Sequence, residues 1–163
     1  YEIVDCDWSS DVCSSDLHPA LDTAGQAAAW QALLAAARDH LRRHRARHGG
    51  SVVCTLPGLR DAQGASPFWT GLGRAFYAGD VDALLAERGL AARADLAALL
   101  PRQVVYTGLL PAALREAVAQ AAPPSRGWMD SLAHAGFRFS HHVDIIDGGP
   151  VFEAHTDTWC AQD

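Results

Sequence analysis

The 163-residue chain lacks several things that would settle its class at once. No apolar run approaches the ~20 residues that a membrane-crossing helix needs. The first residues are acidic and polar, without the basic start and apolar stretch of a secretory signal. Cysteines number only four, and none sit in a C-x-x-C pair or at zinc-site spacing. That pattern reads as reduced thiols in a cytoplasmic protein. An excess of positive charge is also missing. The formal net charge is −6, but residues 1–17 carry five acids (Glu2, Asp5, Asp7, Asp11, Asp16) and no base. The remainder is near neutral, so nothing argues for nucleic acid or an anionic membrane as partner. With 49% apolar and 20% charged residues, the chain has the composition of a globular domain, or of pieces of two small ones.

The acidic head stands apart from the rest. Residues 7–17 read DWSSDVCSSDL, with neither helical nor alternating periodicity, and stop where Ala-rich sequence begins. The segment resembles translated sequencing-adaptor read-through. Residues 1–16 are therefore set aside as non-native, and the chain is expected to be part of a longer protein.

From residue 24 the pattern becomes regular. Alanine fills eight of positions 24–37, and Trp30, Leu33, Leu34, Ala37 and Leu41 form one stripe, predicting a helix over 24–47 closed by Gly49-Gly50. Ser51 to Leu56 reads as a buried strand stopped by Pro57-Gly58. Ser66-Pro67 offers an N-cap and a first helical proline for a short helix carrying Phe68, Trp69 and Leu72. Residues 80–100 predict two short helices broken at Gly89, and 103–109 a strand. Helices are expected at 111–121 and 125–135, then a strand over 137–146, a turn at 147–150, and a returning strand at 151–155. The order predicts a layered α/β (α+β) fold.

Three groups of residues have chemical potential. Gly25, Gln26 and Ala27 start the long helix, where amide groups and the helix dipole can hold an anion; spacing alone favours an ordinary cap. His40, His44 and His48 share one helix face, but sit in Arg-rich sequence and read as a solvated basic face. His141, His142, Asp144, Asp147, His155, Asp157 and Cys160 crowd the tail. Strand alternation puts His142 and Asp144 on one face and His141 and Asp147 on the other, so no metal is expected.

Three blocks carry a resemblance. Gly58 to Gly73 reads GLRDAQGASPFWTGLG, Leu100 to Tyr106 reads LPRQVVY, and Gly136 to Pro150 reads GFRFSHHVDIIDGGP. In this order they resemble the bacterial arginine N-succinyltransferase family over roughly residues 17–157. The resemblance implies a fragment of a tandem GNAT-like acyl-CoA N-acyltransferase fold. Residues 17–79 would be the C-terminal part of the first repeat, and 80–163 a truncated second repeat. It implies succinyl transfer from succinyl-CoA to the α-amine of arginine, a step of arginine catabolism, with no metal. Succinyl-CoA and arginine are then the small-molecule partners, and a homo- or hetero-oligomer stays open. Gly25, Gln26 and Ala27 fall where the family carries its Gly-rich coenzyme loop, and Asp144 and Asp147 become the carboxylates for the guanidinium or amine.

Several family positions are altered. The family's proton-donating histidine aligns with Ala122, and two further family histidines with Gln103 and Ala75. A Glu and an Arg before the SPFW block become Thr55 and Pro57, and the basic residue before the Gly-rich loop becomes Leu21 or Asp22. An imidazole acid cannot be replaced by Ala or Gln. The catalytic group is thus unassigned, with Tyr77, Tyr106 and His134 as candidates. The alternative is a non-catalytic paralogue or partner subunit of the same fold.

Overall fold

The structure is a computed structural model and describes residues 2–3, 23–100 and 106–161. Its elements are β1 (Glu2–Ile3), α1 (Thr23–Arg43), β2 (Ser51–Thr55), α2 (Pro67–Gly71), α3 (Val81–Arg88), α4 (Leu90–Leu99), α5 (Ala112–Ala117), α6 (Arg126–His134), β3 (Arg138–Val143), β4 (Pro150–His155) and α7 (Thr156–Cys160). The four strands make one sheet in the order β1-β3-β4-β2. β3 and β4 form an antiparallel hairpin, β2 runs antiparallel to β4, and β1 parallel to β3. Glu2 and Ile3, the outer end of the head set aside above, pair with His142 and Val143. Residues 4–22, including the adaptor-like run, lie outside the described residues.

α1, α6 and α7 supply the helical side of the largest core. Trp30 and Leu41 of α1 meet Trp128 and Leu132 of α6, Trp159 of α7, and Phe152 and Ala154 of β4. The sequence stripe on α1 is the reason: its apolar positions return every turn, so one face buries. Trp30 tilts against Trp128 with centroids 5.1 Å apart, and Phe137 meets Trp159 edge-on at 5.2 Å. Two smaller clusters hold α2–α5 against the turn between β3 and β4.

Several elements differ from the sequence expectation. α1 stops at Arg43 and a separate 3-10 turn covers Arg45–Arg47, held by Arg45 pairing with Asp157 of α7 at 2.6 Å. Of the strand expected over 103–109, residues 103–105 lie outside the described residues, and Thr107–Leu109 is a 3-10 turn. α5 ends at Ala117 instead of Ala121. Val118 is extended and Ala119 takes a left-handed φ of 60°, donating its N–H to Gly148 O at 2.8 Å. A tertiary bond to the neighbouring turn thus replaces the next helical bond.

The predicted strand over 137–146 ends at Val143, and its alternation breaks. His141 has φ 63° and the β3–β4 register slips between Phe139 and Val143, the geometry of a bulge. Ser140 fastens it, with Oγ donating to Val151 O and accepting from His142 N. After the bulge Val143, Asp144, Ile145 and Ile146 are all buried, so a two-face split of the tail does not hold. α7 has no counterpart in the sequence pattern; Trp159, 1% exposed, anchors it in the core.

Candidate functional site

Three loops converge at the end of the sheet. Pro57-Gly58 follows β2, 118–122 follows α5, and 144–149 joins β3 to β4. Gly58 bridges Ala121, Ala122 N–H donates to Pro57 O at 2.8 Å, and Leu56 N–H donates to Pro150 O at 3.1 Å. Within the third loop Asp144 acts as organiser. Its Oδ1 accepts from Ile146 N at 2.7 Å and Asp147 N at 3.3 Å, while its backbone closes on Gly148 and Gly149. Its Oδ2 receives a short hydrogen bond from Arg93 Nη2 on α4. Asp144 is only 7% exposed, so this guanidinium is what makes burial of the carboxylate tolerable.

Asp147 stands beside it. Its Oδ1 accepts from Gly149 N at 2.9 Å, and the Gly58 amide also bonds to it. Burial and the Asp144 charge raise its pKa to about 6, against the pull of the two amides and Arg60.

Next to this loop, an open cleft of about 260 Å³ lies between the SPFW segment and the start of α3. Trp69, Val81 and Ile146, all buried, provide its apolar lining; Arg60, Thr70, Arg74, Asp80 and Asp82 are among its polar residues. Local sequence sets the walls. Ser66 Oγ caps α2 by accepting from Trp69 N at 3.1 Å, and Asp80 Oδ1 caps α3 by accepting from Ala83 N at 3.0 Å. Arg60 clasps Asp82 with two bonds of 3.1 and 3.2 Å and also donates to Gly64 O.

The site residues read from sequence fall in different places. Asp144 and Asp147 are brought together. Tyr77 is half-buried, meets Trp69 edge-on at 6.4 Å, and packs its hydroxyl against Gly79 on the cleft. Tyr106 is 70% exposed. His134 ends α6, exposed, with Nδ1 2.6 Å from Asp130 O. Gly25, Gln26 and Ala27 lie in the first turns of α1, which already begins at Thr23; Gly25 and Ala27 are not among the cleft residues, and the side chain of Gln26 lies outside the described residues. His40, His44 and His48 do cluster, with ring centroids 4.6 and 5.4 Å from His40. The pKa of His40 is lowered by desolvation and then by the neighbouring His44, His48, Arg43 and Arg47. Among the described residues, no group of three or more His, Cys, Asp or Glu is arranged to hold a metal. No helix among them is long and apolar enough to cross a membrane.

Sequence reasoning missed Arg93. The signal was present: it borders the buried stripe Ala92, Leu96, Leu100 on an otherwise alanine-rich helix, a place where a guanidinium needs a partner.

Comparison with known proteins adds to this geometry. The family model described as arginine N-succinyltransferase beta subunit matches residues 3–160. The chain is 39% identical over 115 residues to the arginine N-succinyltransferase subunit alpha of Pseudomonas aeruginosa. It is 32% identical over 113 residues to the arginine N-succinyltransferase of Shigella sonnei. Each alignment covers 69% of this chain and 33% of the relative, so the chain spans about a third of the length of the curated relatives it matches. In three dimensions it is similar to the arginine/ornithine succinyltransferase subunit AI of P. aeruginosa, with TM-score 0.54, 31% identity, and coverage of 74% of this chain and 34% of that one. The helices packed on a largely antiparallel sheet thus resemble part of an arginine/ornithine succinyltransferase subunit of known structure. On the family match over 3–160 together with these relatives, the chain belongs to the arginine N-succinyltransferase family.

Proposed function

We propose that this chain is part of an acyltransferase that moves the succinyl group of succinyl-CoA onto the α-amine of arginine in a bacterial, cytoplasmic route of arginine breakdown. One observation carries the reading. The two blocks most specific to the family, SPFW and VDIIDGGP, pack directly on one another: Phe68 lies under Gly148, and Trp69 shares a core cluster with Ile145 and Ile146. Residues distant in sequence are held together as a unit, as a shared site requires.

The reaction needs positioning above all. The neutral amine nitrogen attacks the thioester carbonyl carbon, the C–N bond forms, and the C–S bond breaks. A base or water chain takes the proton from the amine, and the departing thiolate receives one. In this reading the first turn of α1, with Gly25, Gln26 and Ala27, holds coenzyme phosphate, and no metal takes part. Asp147 is the better of the two carboxylates for the acceptor, because Arg93 already neutralises Asp144. Tyr77, beside the cleft, is the favoured proton donor of the three candidates. Residues 17–79 and 80–163 are then neighbouring repeats; Glu2 and Ile3, which pair with β3 and stand at the start of the family match, go with them, against the expectation that residues 1–16 are foreign.

A second reading rests on a different observation. Three of the altered family positions gather in one place. Ala122 stands at the family histidine position and bonds to Pro57, the altered arginine position; Thr55, the altered glutamate position, ends β2 with its hydroxyl buried and unpartnered. A polar constellation has become largely apolar there, which suits a non-catalytic paralogue or partner subunit.

The test uses the whole gene product, mixed with succinyl-CoA while free thiol is followed. Arginine-dependent thiol release establishes the transferase. Coenzyme A binding without release selects the second reading.

A further inference from the structure

We propose that the cleft between α2 and the start of α3 is a subsite for a small aliphatic carboxylate, and that Arg74 is its cation. The argument begins with what each charged group at the rim already does. Arg60 is committed to Asp82 through two bonds and to Gly64 O through a third. Asp80 caps α3 through Ala83 N. Arg74 lies in the 3-10 turn after α2, exposed, and makes no ion pair or hydrogen bond with any described residue. After these pairings Arg74 is left, among the described residues, as the uncommitted guanidinium on the cleft.

The lining fits the same ligand class. Trp69, Val81 and Ile146 are 5%, 7% and 5% exposed and give an apolar floor for methylene groups. Thr70, near the end of α2 and also on the cleft, is exposed and adds a hydroxyl. The volume of about 260 Å³ matches a ligand of a few carbons, not a nucleotide. A guanidinium binds a carboxylate through two parallel N–H···O bonds, so Arg suits this task better than Lys. Both substrates of the proposed reaction carry such a group: the free end of the succinyl chain and the α-carboxylate of arginine. Naming these two sources rests on the transferase reading, whereas the subsite itself does not.

Succinate, arginine and inorganic phosphate serve as three separate probes on the 163-residue chain, with binding read from ligand NMR saturation transfer. Arg74→Gln is compared with wild type, and Arg115→Gln on α5 controls for loss of surface charge. The melting temperature of each variant confirms that it is folded. We expect saturable binding of succinate or of arginine, weakened about tenfold or more by Arg74→Gln and unchanged by Arg115→Gln. Succinate assigns the subsite to the donor, and arginine assigns it to the acceptor. Failure of both carboxylates to bind folded protein overturns the proposal. So does equal binding to Arg74→Gln, or phosphate binding as well as succinate. Arg74-dependent binding, with no arginine-dependent thiol release by the whole gene product, keeps the subsite and rejects the transferase; release by that product, with binding that does not depend on Arg74, does the opposite.

Discussion

Gly58 and Gly149 meet backbone against backbone where the loop after β2 crosses the turn before β4. A Cβ on Gly149 would stand 2.6 Å from Gly58 N and closer still to Leu56 O; one on Gly58 would stand 2.8 Å from Gly149 N. Neither neighbour is a flexible side-chain end, so the loops must separate to admit a methyl group. Gly58→Ala and Gly149→Ala are each expected to cost about 2 kcal/mol or more in denaturant unfolding. Gly127 in α6 faces open space. Gly127→Ala is expected to be neutral or to stabilise by up to about 1 kcal/mol.

Arg93 and Asp144 give a second expectation. Removing the guanidinium leaves a buried carboxylate with only amide partners. The Arg93 side chain is 29% exposed, which admits some water. Arg93→Met should therefore fall at or just below the ~3–5 kcal/mol typical of a broken buried pair. Adding Asp144→Asn should recover part of the loss, since an amide oxygen still accepts from Ile146 and Asp147. A double-mutant cycle of melts measures the coupling.

Asp147 sets a pH dependence. Its folded pKa of about 6 lies above the ordinary 3.8, so between about pH 4 and 6 the folded protein binds more protons than the unfolded chain. Its contribution to stability is complete below about pH 4 and is lost as pH rises through 6. The size is on the order of 2–3 kcal/mol. Asp147→Asn keeps the acceptor for the Gly58 and Gly149 amides and cannot ionise. The gap between wild-type and Asp147→Asn stability should therefore move in favour of the variant across this window, and hold level above it.

Ser66 caps α2 while itself buried. Ser66→Ala should cost about 1 kcal/mol and loosen Trp69, whose amide loses its acceptor. Chemical denaturation followed by tryptophan emission measures both effects.

Tyr77→Phe removes the hydroxyl packed beside Gly79 while leaving the ring on Trp69. If Tyr77 protonates the leaving thiolate, kcat should fall about 10²-fold with little change in the melting temperature. An unchanged kcat would leave the tyrosine with packing alone.

The legible parts of the sequence were those with local causes. The Trp30–Leu41 stripe, the Ser66-Pro67 cap, the Gly89 break and the returning strand after Gly148-Gly149 each reflect periodicity or turn chemistry within a few residues. The features that escaped depend on distant partners. The bulge at His141 depends on Ser140 reaching Val151, and α5 ends early because Ala119 bonds Gly148. Asp144 and Asp147 were singled out, but not that one would be neutralised by Arg93, fifty-one residues away. The cleft was also invisible in sequence, because it joins the SPFW segment to the cap of α3 and to Ile146.

The central claim is that the packed SPFW and VDIIDGGP blocks belong to a succinyl-transfer site. The most direct measurement is mass analysis of the reaction of the whole gene product with succinyl-CoA and arginine. The account predicts arginine carrying one succinyl group on its α-amine, formed in equal amount with free coenzyme A thiol. Folded protein that binds coenzyme A yet yields no succinylated arginine would contradict it.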